Sequence, residues 1–375
     1  MKKKIFFLTF LILILAIIFN TNLKHHIYTL IQAAKQAGVS HYDYLIFPNI
    51  SLKGNKNLKS FKKNLIKFDK KKYDFTKFKV ETLMVMKNDE IVIEEYYNNH
   101  TKNDKFNLFS STKTIISLAI GILQDRGKLN INEKVVKYLP NWNFNETTIK
   151  NVLEMSSGFA QPLINWYLDM GFDYFAYNLT DRIYSYRKNT KEKPGKYFRY
   201  SNLNTQILSE IIKKVTSMES YKFIEENLYK KIAKNDAIWS MDRTNNIKAF
   251  CCLYLNTEDF MRFGKFVKDK GKIGNEQILS ENYINSIYSP NENMLENKNS
   301  NVKNNFYGLH SWVLYYEGIK VKYFHGILNQ ISIIIDDWDL LITSFGNDPD
   351  SGERINMEKT VKNIIKYVKE ILKIK

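Results

Sequence analysis

Two short runs, Phe78 to Met86 and Glu90 to Tyr97, crowd apolar side chains on either side of the polar turn Lys87-Asn88-Asp89, and this pattern predicts a β-hairpin. From about Ser111 to Ser289 the spacing becomes mostly helical, with breaks at Pro140, Gly158 and Pro194-Gly195. Its clearest stretch is Ile115, Ile116, Leu118, Ala119, Ile122 and Leu123. Strand-like runs then return at Tyr307–Tyr316, Lys320–Phe324, Gln330–Asp336 and Leu340–Phe345, with turns at Glu317-Gly318 and Asp336-Asp337. A last amphipathic helix carries Ile355, Val361, Ile364, Ile365, Val368 and Leu372. Strands from both chain ends thus bracket a helical block. The pattern predicts an α+β fold: one antiparallel sheet split in sequence, flanked by helices, with an all-helical subdomain over about 111–289 inserted into it.

Upstream, Lys2, Lys3 and Lys4 precede an apolar run from Ile5 to Phe19 broken only by Thr9. This is the layout of an export signal or a retained anchor. Phe19-Asn20-Thr21-Asn22 offers no small-x-small cleavage site and no cysteine for lipid attachment, so residues 1–22 read as an N-terminal signal anchor. The bulk of the chain is then expected outside the cytoplasm, held at the inner membrane or free in the periplasm or medium. Residues 23–77 read as a helix (Leu23, Ile27, Leu30, Ile31, Ala34) followed by a basic connector, and 78–375 as the main domain.

Composition adds little to that division. The 375 residues are 44% hydrophobic, enough for a substantial core, and the net charge of +17 comes from lysines spread along the chain amid many asparagines and isoleucines. The dense exception is Lys53 to Lys79, eleven lysines against Asp69 and Asp74, which suits anionic lipid headgroups but better suits a solvated face or linker. Aromatic residues interleave poorly with that run, so no nucleic-acid partner is expected. Zinc-finger spacing, His-Glu-x-x-His, Gly-x-Gly-x-x-Gly and a phosphate loop are absent from the sequence, and no metal or cofactor is expected. Adjacent Cys251 and Cys252 read as two small buried thiols, because a bridge between neighbours is strained.

Candidate chemistry begins at Ser110-Ser111-Thr112-Lys113, where a polar loop meets the apolar helix. A serine and a lysine three apart share a helix face, so the Lys113 amine can reach the Ser110 hydroxyl and activate it without a histidine. The helix N-terminus favours an alkoxide and lowers the lysine's proton affinity. Ser110 also suits the helix N-cap, a purely structural role. Further on, Tyr200 and Asn202 lie two apart on a loop before the helix near Leu203, offering a phenol to pass protons and an amide to hold a carbonyl. Phe324-His325-Gly326 ends a strand, where a side-chain donor followed by glycine would let a substrate backbone approach. Trp166 and Tyr167 suit either a pocket wall or aromatic core.

In this order, Ser-x-x-Lys, Tyr-x-Asn and His-Gly resemble the motifs of the serine β-lactamase and penicillin-binding-protein superfamily, on the class C branch that includes DD-peptidases, esterases and 6-aminohexanoate-oligomer hydrolases. Val152–Phe159 resembles that family's LLxMSSG segment, Ala237–Asp242 its xxWSxD segment and Thr257–Gly264 its TAxDxxRFG helix. The resemblance implies a β-lactamase/transpeptidase-like fold and a hydrolase acting on an amide or ester of a small molecule or peptide. It implies Ser110 as nucleophile, Lys113 as base and Tyr200 as proton relay. It also implies Asn202, His325 and Gly326 as substrate-binding residues, His325 standing where relatives place a lysine. The oxyanion hole would join the Ser110 N–H to one just after Gly326. Two departures stand out: the strand runs His325-Gly326-Ile327-Leu328 where relatives often have His-Gly-Gly-Gln, and Cys251-Cys252 replaces a pair that is often glycine. The altered strand leaves a second reading, a catalytically weak protein that recognises cell-wall peptides.

Overall fold

Strands from the two ends of the chain meet in one sheet, as the hydrophobic pattern predicts. The computed structural model describes residues 40–141, 146–158, 171, 173–185 and 192–375; the expected anchor (1–22), the helix after it, and Trp166 and Tyr167 lie outside them. In chain order come β1 (Asn49–Leu52), β2 (Val80–Lys87), β3 (Glu90–Tyr96), β4 (Phe106–Asn107), α1 (Thr112–Asp125), α2 (Ile149–Leu153), α3 (Leu179–Ser185) and α4 (Asn202–Thr216). They are followed by β5 (Ala237–Ser240), β6 (Leu253–Leu255), α5 (Thr257–Lys268), the small hairpin β7 (Lys272–Ile273) and β8 (Glu276–Gln277), and α6 (Glu281–Ile287). The chain closes with β9 (Trp312–Tyr316), β10 (Ile319–Gly326), β11 (Gln330–Ile335), β12 (Leu340–Gly346) and α7 (Arg354–Leu372).

The main sheet has the order β3-β2-β12-β11-β10-β9, antiparallel throughout. Asn88 and Asp89, both at positive φ, make the two-residue turn of the predicted hairpin; short polar side chains tolerate that backbone. Central strands are buried on both faces because each face has a cover. Leu83, Val85, Ile333 and Ile342 pack with Met357, Val361, Ile364, Ile365 and Val368 of α7. Met84, Met86, Ile334 and Leu341 point the other way, toward Phe260, Met261 and Phe263 of α5 and the wider core. Each such side chain, fully removed from water, contributes about 1.5–3 kcal/mol.

The inserted block is helical for the most part, and it also carries strands. β5 and β6 join β1 and β4 in a second sheet of order β1-β5-β6-β4. That sheet draws the basic connector into the fold: β1 pairs with β5 from Asn49↔Ser240 to Leu52↔Ala237, and the amides of Asn64 and Ile66 donate to carbonyls of β3. The short runs Ala237–Ser240 and Leu253–Leu255 read as parts of helices because three or four residues are too few to display a period of two. Their strand character comes from pairing partners far away in sequence. Among the described residues no helix is long and apolar enough to cross a membrane.

Candidate active site

The nucleophile candidate sits on a forced turn. Phe109–Ser111 form one 3₁₀ turn leading into α1, and Phe109 takes φ +44, a left-handed backbone that a residue with a large side chain rarely adopts. Asn107 holds it there: its Oδ1 accepts from the Phe109 amide at 2.9 Å and from the Cys252 amide at 3.1 Å. Ser111, not Ser110, occupies the N-cap of α1, and its hydroxyl donates to the Gln330 carbonyl at 2.8 Å, tying the turn to β11. Ser110 is therefore not the N-cap residue, and neither serine's hydroxyl caps the helix; that of Ser110 meets Lys113 instead.

Lys113 is almost wholly buried, and its Nζ lies 2.9 Å from each of three atoms: Ser110 Oγ, Asn202 Oδ1 and the Phe250 carbonyl oxygen. Burial lowers its pKa well below the usual lysine value, and the Asp173 charge opposes this only in part. A neutral amine has two N–H donors and one lone pair. Asn202 Oδ1 and the Phe250 carbonyl can only accept, so they take both donors, and the lone pair is left facing the Ser110 hydroxyl. In that state the arrangement allows Lys113 to accept the Ser110 proton.

Tyr200 closes the other side. Its hydroxyl shares a hydrogen bond with Ser110, and its ring stacks on Trp312 with centroids 5.8 Å apart and meets Tyr307 edge-on at 6.0 Å. Burial raises the phenol's pKa far above its normal value, with the Ser110 contact a smaller opposing effect. Tyr200 therefore keeps its proton at neutral pH, while burial makes Lys113 give up its proton more readily than an ordinary lysine.

Strand β10 approaches from the sheet. A Cβ placed on Gly326 would lie 2.2 Å from the Leu108 carbonyl oxygen and 3.1 Å from the Ser110 amide nitrogen, so only glycine allows this contact. β9 pairs with β10 no further than Trp312↔Tyr323, and the outer edge of Phe324, His325 and Gly326 extends past it. The bulky Leu328 is not on that edge. With Asn329 it forms the β10–β11 turn, both residues at positive φ.

His325 does not have the surroundings expected of it. Successive strand residues face opposite ways, which directs His325 away from the side on which Gly326 meets the nucleophile turn. Its Nε2 pairs with Asn329 Oδ1 at 3.3 Å, and Asn329 Nδ2 in turn donates to Asp348 at 2.8 Å. Burial lowers its pKa to about 4, so it is neutral and carries no charge to stand in for a lysine. Cys251 and Cys252 also depart from expectation: they are buried but joined as a disulfide, at a turn where Cys252 has φ +69, rather than lying as free thiols.

The structure thus gathers Ser110, Lys113, Tyr200, Asn202 and Gly326. Asn107 and Phe250 escaped the sequence reading. Asn107 acts on a backbone amide and Phe250 through its carbonyl, and neither function has a residue-type signature; the positive φ before Ser110 is visible only in the fold.

Residues 81–243 match the family model described as Beta-lactamase, a span that holds Ser110, Lys113, Tyr200 and Asn202 and ends before β10. Protein flp of Staphylococcus aureus strain N315 is 27% identical over 184 residues, covering 44% of this chain and 35% of that protein, so the match spans about a third of the relative's length. The 6-aminohexanoate-dimer hydrolase of Paenarthrobacter ureafaciens is 21% identical over 226 residues, 55% of this chain and 56% of its own. Among solved structures, a Bacillus anthracis protein provisionally named 6-aminohexanoate-dimer hydrolase superposes with a TM-score of 0.75 at 17% identity, over 89% of this chain and 94% of that one.

Proposed function

Because the chain belongs to the serine β-lactamase and penicillin-binding-protein superfamily and has the fold of its serine hydrolases, we propose that it cleaves an amide or ester bond through an acyl-enzyme on Ser110. The observation that carries this reading is the buried Lys113 amine, whose two donors are taken by Asn202 and Phe250. Ser110 Oγ attacks the substrate carbonyl carbon while its proton passes to Lys113 Nζ. The oxyanion that forms is held by the amides of Ser110 and Ile327, the residue just after Gly326. Tyr200 donates its proton to the leaving nitrogen or oxygen and is reprotonated from Lys113. Asn202 Nδ2 remains to hold a substrate carbonyl. Water then attacks the ester on Ser110, with the same groups running in reverse. The apolar run at residues 5–19 and the lysines before it favour an exported, membrane-held protein.

A panel of p-nitrophenyl esters, short amides, D-amino-acid peptides and a chromogenic β-lactam tests the reading, run beside Ser110→Ala. At least one ester or amide should turn over, and Ser110→Ala should lose that activity by on the order of a thousandfold or more. The acylation rate should rise with pH as Lys113 loses its proton, and level off well below the ordinary lysine value near 10.4. Equal turnover by the two proteins would refute Ser110 as nucleophile.

A further inference from the structure

His310 sits behind the reactive pair. It is 2% exposed and takes φ +58, a left-handed backbone in which a residue with a side chain needs compensation. The compensation is a set of bonds to three different segments. Its carbonyl accepts from Thr114 Oγ1 at 2.8 Å, one residue past Lys113 on α1. Its Nδ1 lies 2.7 Å from the Leu153 carbonyl at the end of α2, an acceptor only, which fixes Nδ1 as the protonated nitrogen. Its Nε2 lies 3.0 Å from Thr205 Oγ1 and must therefore accept the hydroxyl proton; Thr205 is one turn along α4 from Asn202.

Resting on the acyl-enzyme reading of Ser110, we propose that His310 is a positioning residue: it clamps α1 and α4 so that Ser110, Lys113 and Asn202 meet, and keeps water from the inner side of the lysine pocket. Both ring nitrogens are engaged and the ring is deeply buried, so it stays neutral, with its pKa lowered to about 3. Lys113 lies within electrostatic reach of it. Taking the ring away would open a hole lined by the Leu153 carbonyl and the Thr205 hydroxyl, polar partners that invite a water molecule. A water there would relieve the burial that lowers the Lys113 pKa. Among the described residues, the other titratable groups around Lys113 are Tyr200 and Asp173, the latter paired with Arg182 at 3.0 Å. Glu154, beside Leu153, faces Lys150 at 3.8 Å. The variants below leave all of these in place.

The test is the second-order rate at which a fluorophosphonate labels Ser110, measured against pH for wild type, His310→Gly and His310→Asn. Glycine accepts the left-handed backbone and removes the clamp. At neutral pH its labelling should fall at least about tenfold, and the acid-side midpoint should move up by about one pH unit. Asparagine also tolerates this backbone and can still reach the Leu153 carbonyl, so its midpoint should move up by less. A purely structural role would lower the amplitude without moving the midpoint. A His310→Gly midpoint equal to wild type overturns the proposal whatever the rate; if that variant does not fold, an unmoved His310→Asn midpoint does so instead. Wild-type protein that takes up no label on Ser110 would refute the acyl-enzyme reading itself, a separate result.

Discussion

The nucleophile turn and the end of β10 face each other across the same site, and they are built in opposite ways. At the turn, side chains do the work: Lys113 is met by Ser110 Oγ, Asn202 Oδ1 and one carbonyl, all at 2.9 Å. At the strand the absence of a side chain is what matters, since Gly326 lets the backbone lie against Leu108 and Ser110 while the neighbouring His325 turns to Asn329. The proposed reacting groups are therefore held by a network that depends on residue type, and the proposed docking edge by backbone shape.

Substitutions at the two places should separate these contributions. Lys113→Met removes the base and leaves Asn202 Oδ1 and the Phe250 carbonyl without their donor. It should slow Ser110 labelling by on the order of a thousandfold or more, with only partial recovery at high pH. Gly326→Ala places a methyl carbon where there is no room and pushes β10 off the turn. A loss on the order of a hundredfold is expected from the disturbed oxyanion amides, read as the labelling rate of the folded fraction. Asn107→Ala leaves the Phe109 and Cys252 amides without an acceptor, so the left-handed turn relaxes and labelling should slow about tenfold. Smallest of all, His325→Gln should change turnover by less than about threefold, because a glutamine amide can still pair with Asn329 and no charge is lost. A large effect at His325 would show that it meets substrate directly, and the contrast between side-chain turn and backbone edge would then fail.

How much of this the sequence disclosed follows the same division. The hairpin at β2–β3, strands β10 to β12 and helix α7 are long enough to display their periods, and they lie within a few residues of the predicted limits. The second sheet was hidden, because β1, β4, β5 and β6 are two to four residues each and owe their form to partners brought from elsewhere in the chain. In the site, Ser110, Lys113, Tyr200 and Asn202 were legible because their spacing within a turn or loop implies contact. The surroundings of His325 were not legible: strand alternation, once the close contact of Gly326 is known, turns its ring to the other face. His310 gave no signal at all, since its left-handed backbone and its partners Leu153 and Thr205 are properties of the fold.

The central claim is that a neutral Lys113 makes Ser110 the reactive serine of this chain, and intact-protein mass spectrometry after fluorophosphonate treatment, followed by peptide mapping, tests it most directly. One adduct per chain is predicted, on the peptide carrying Ser110, absent from Ser110→Ala and strongly slowed in Lys113→Met. An adduct that maps to another serine, or that forms equally on Ser110→Ala, would contradict the account.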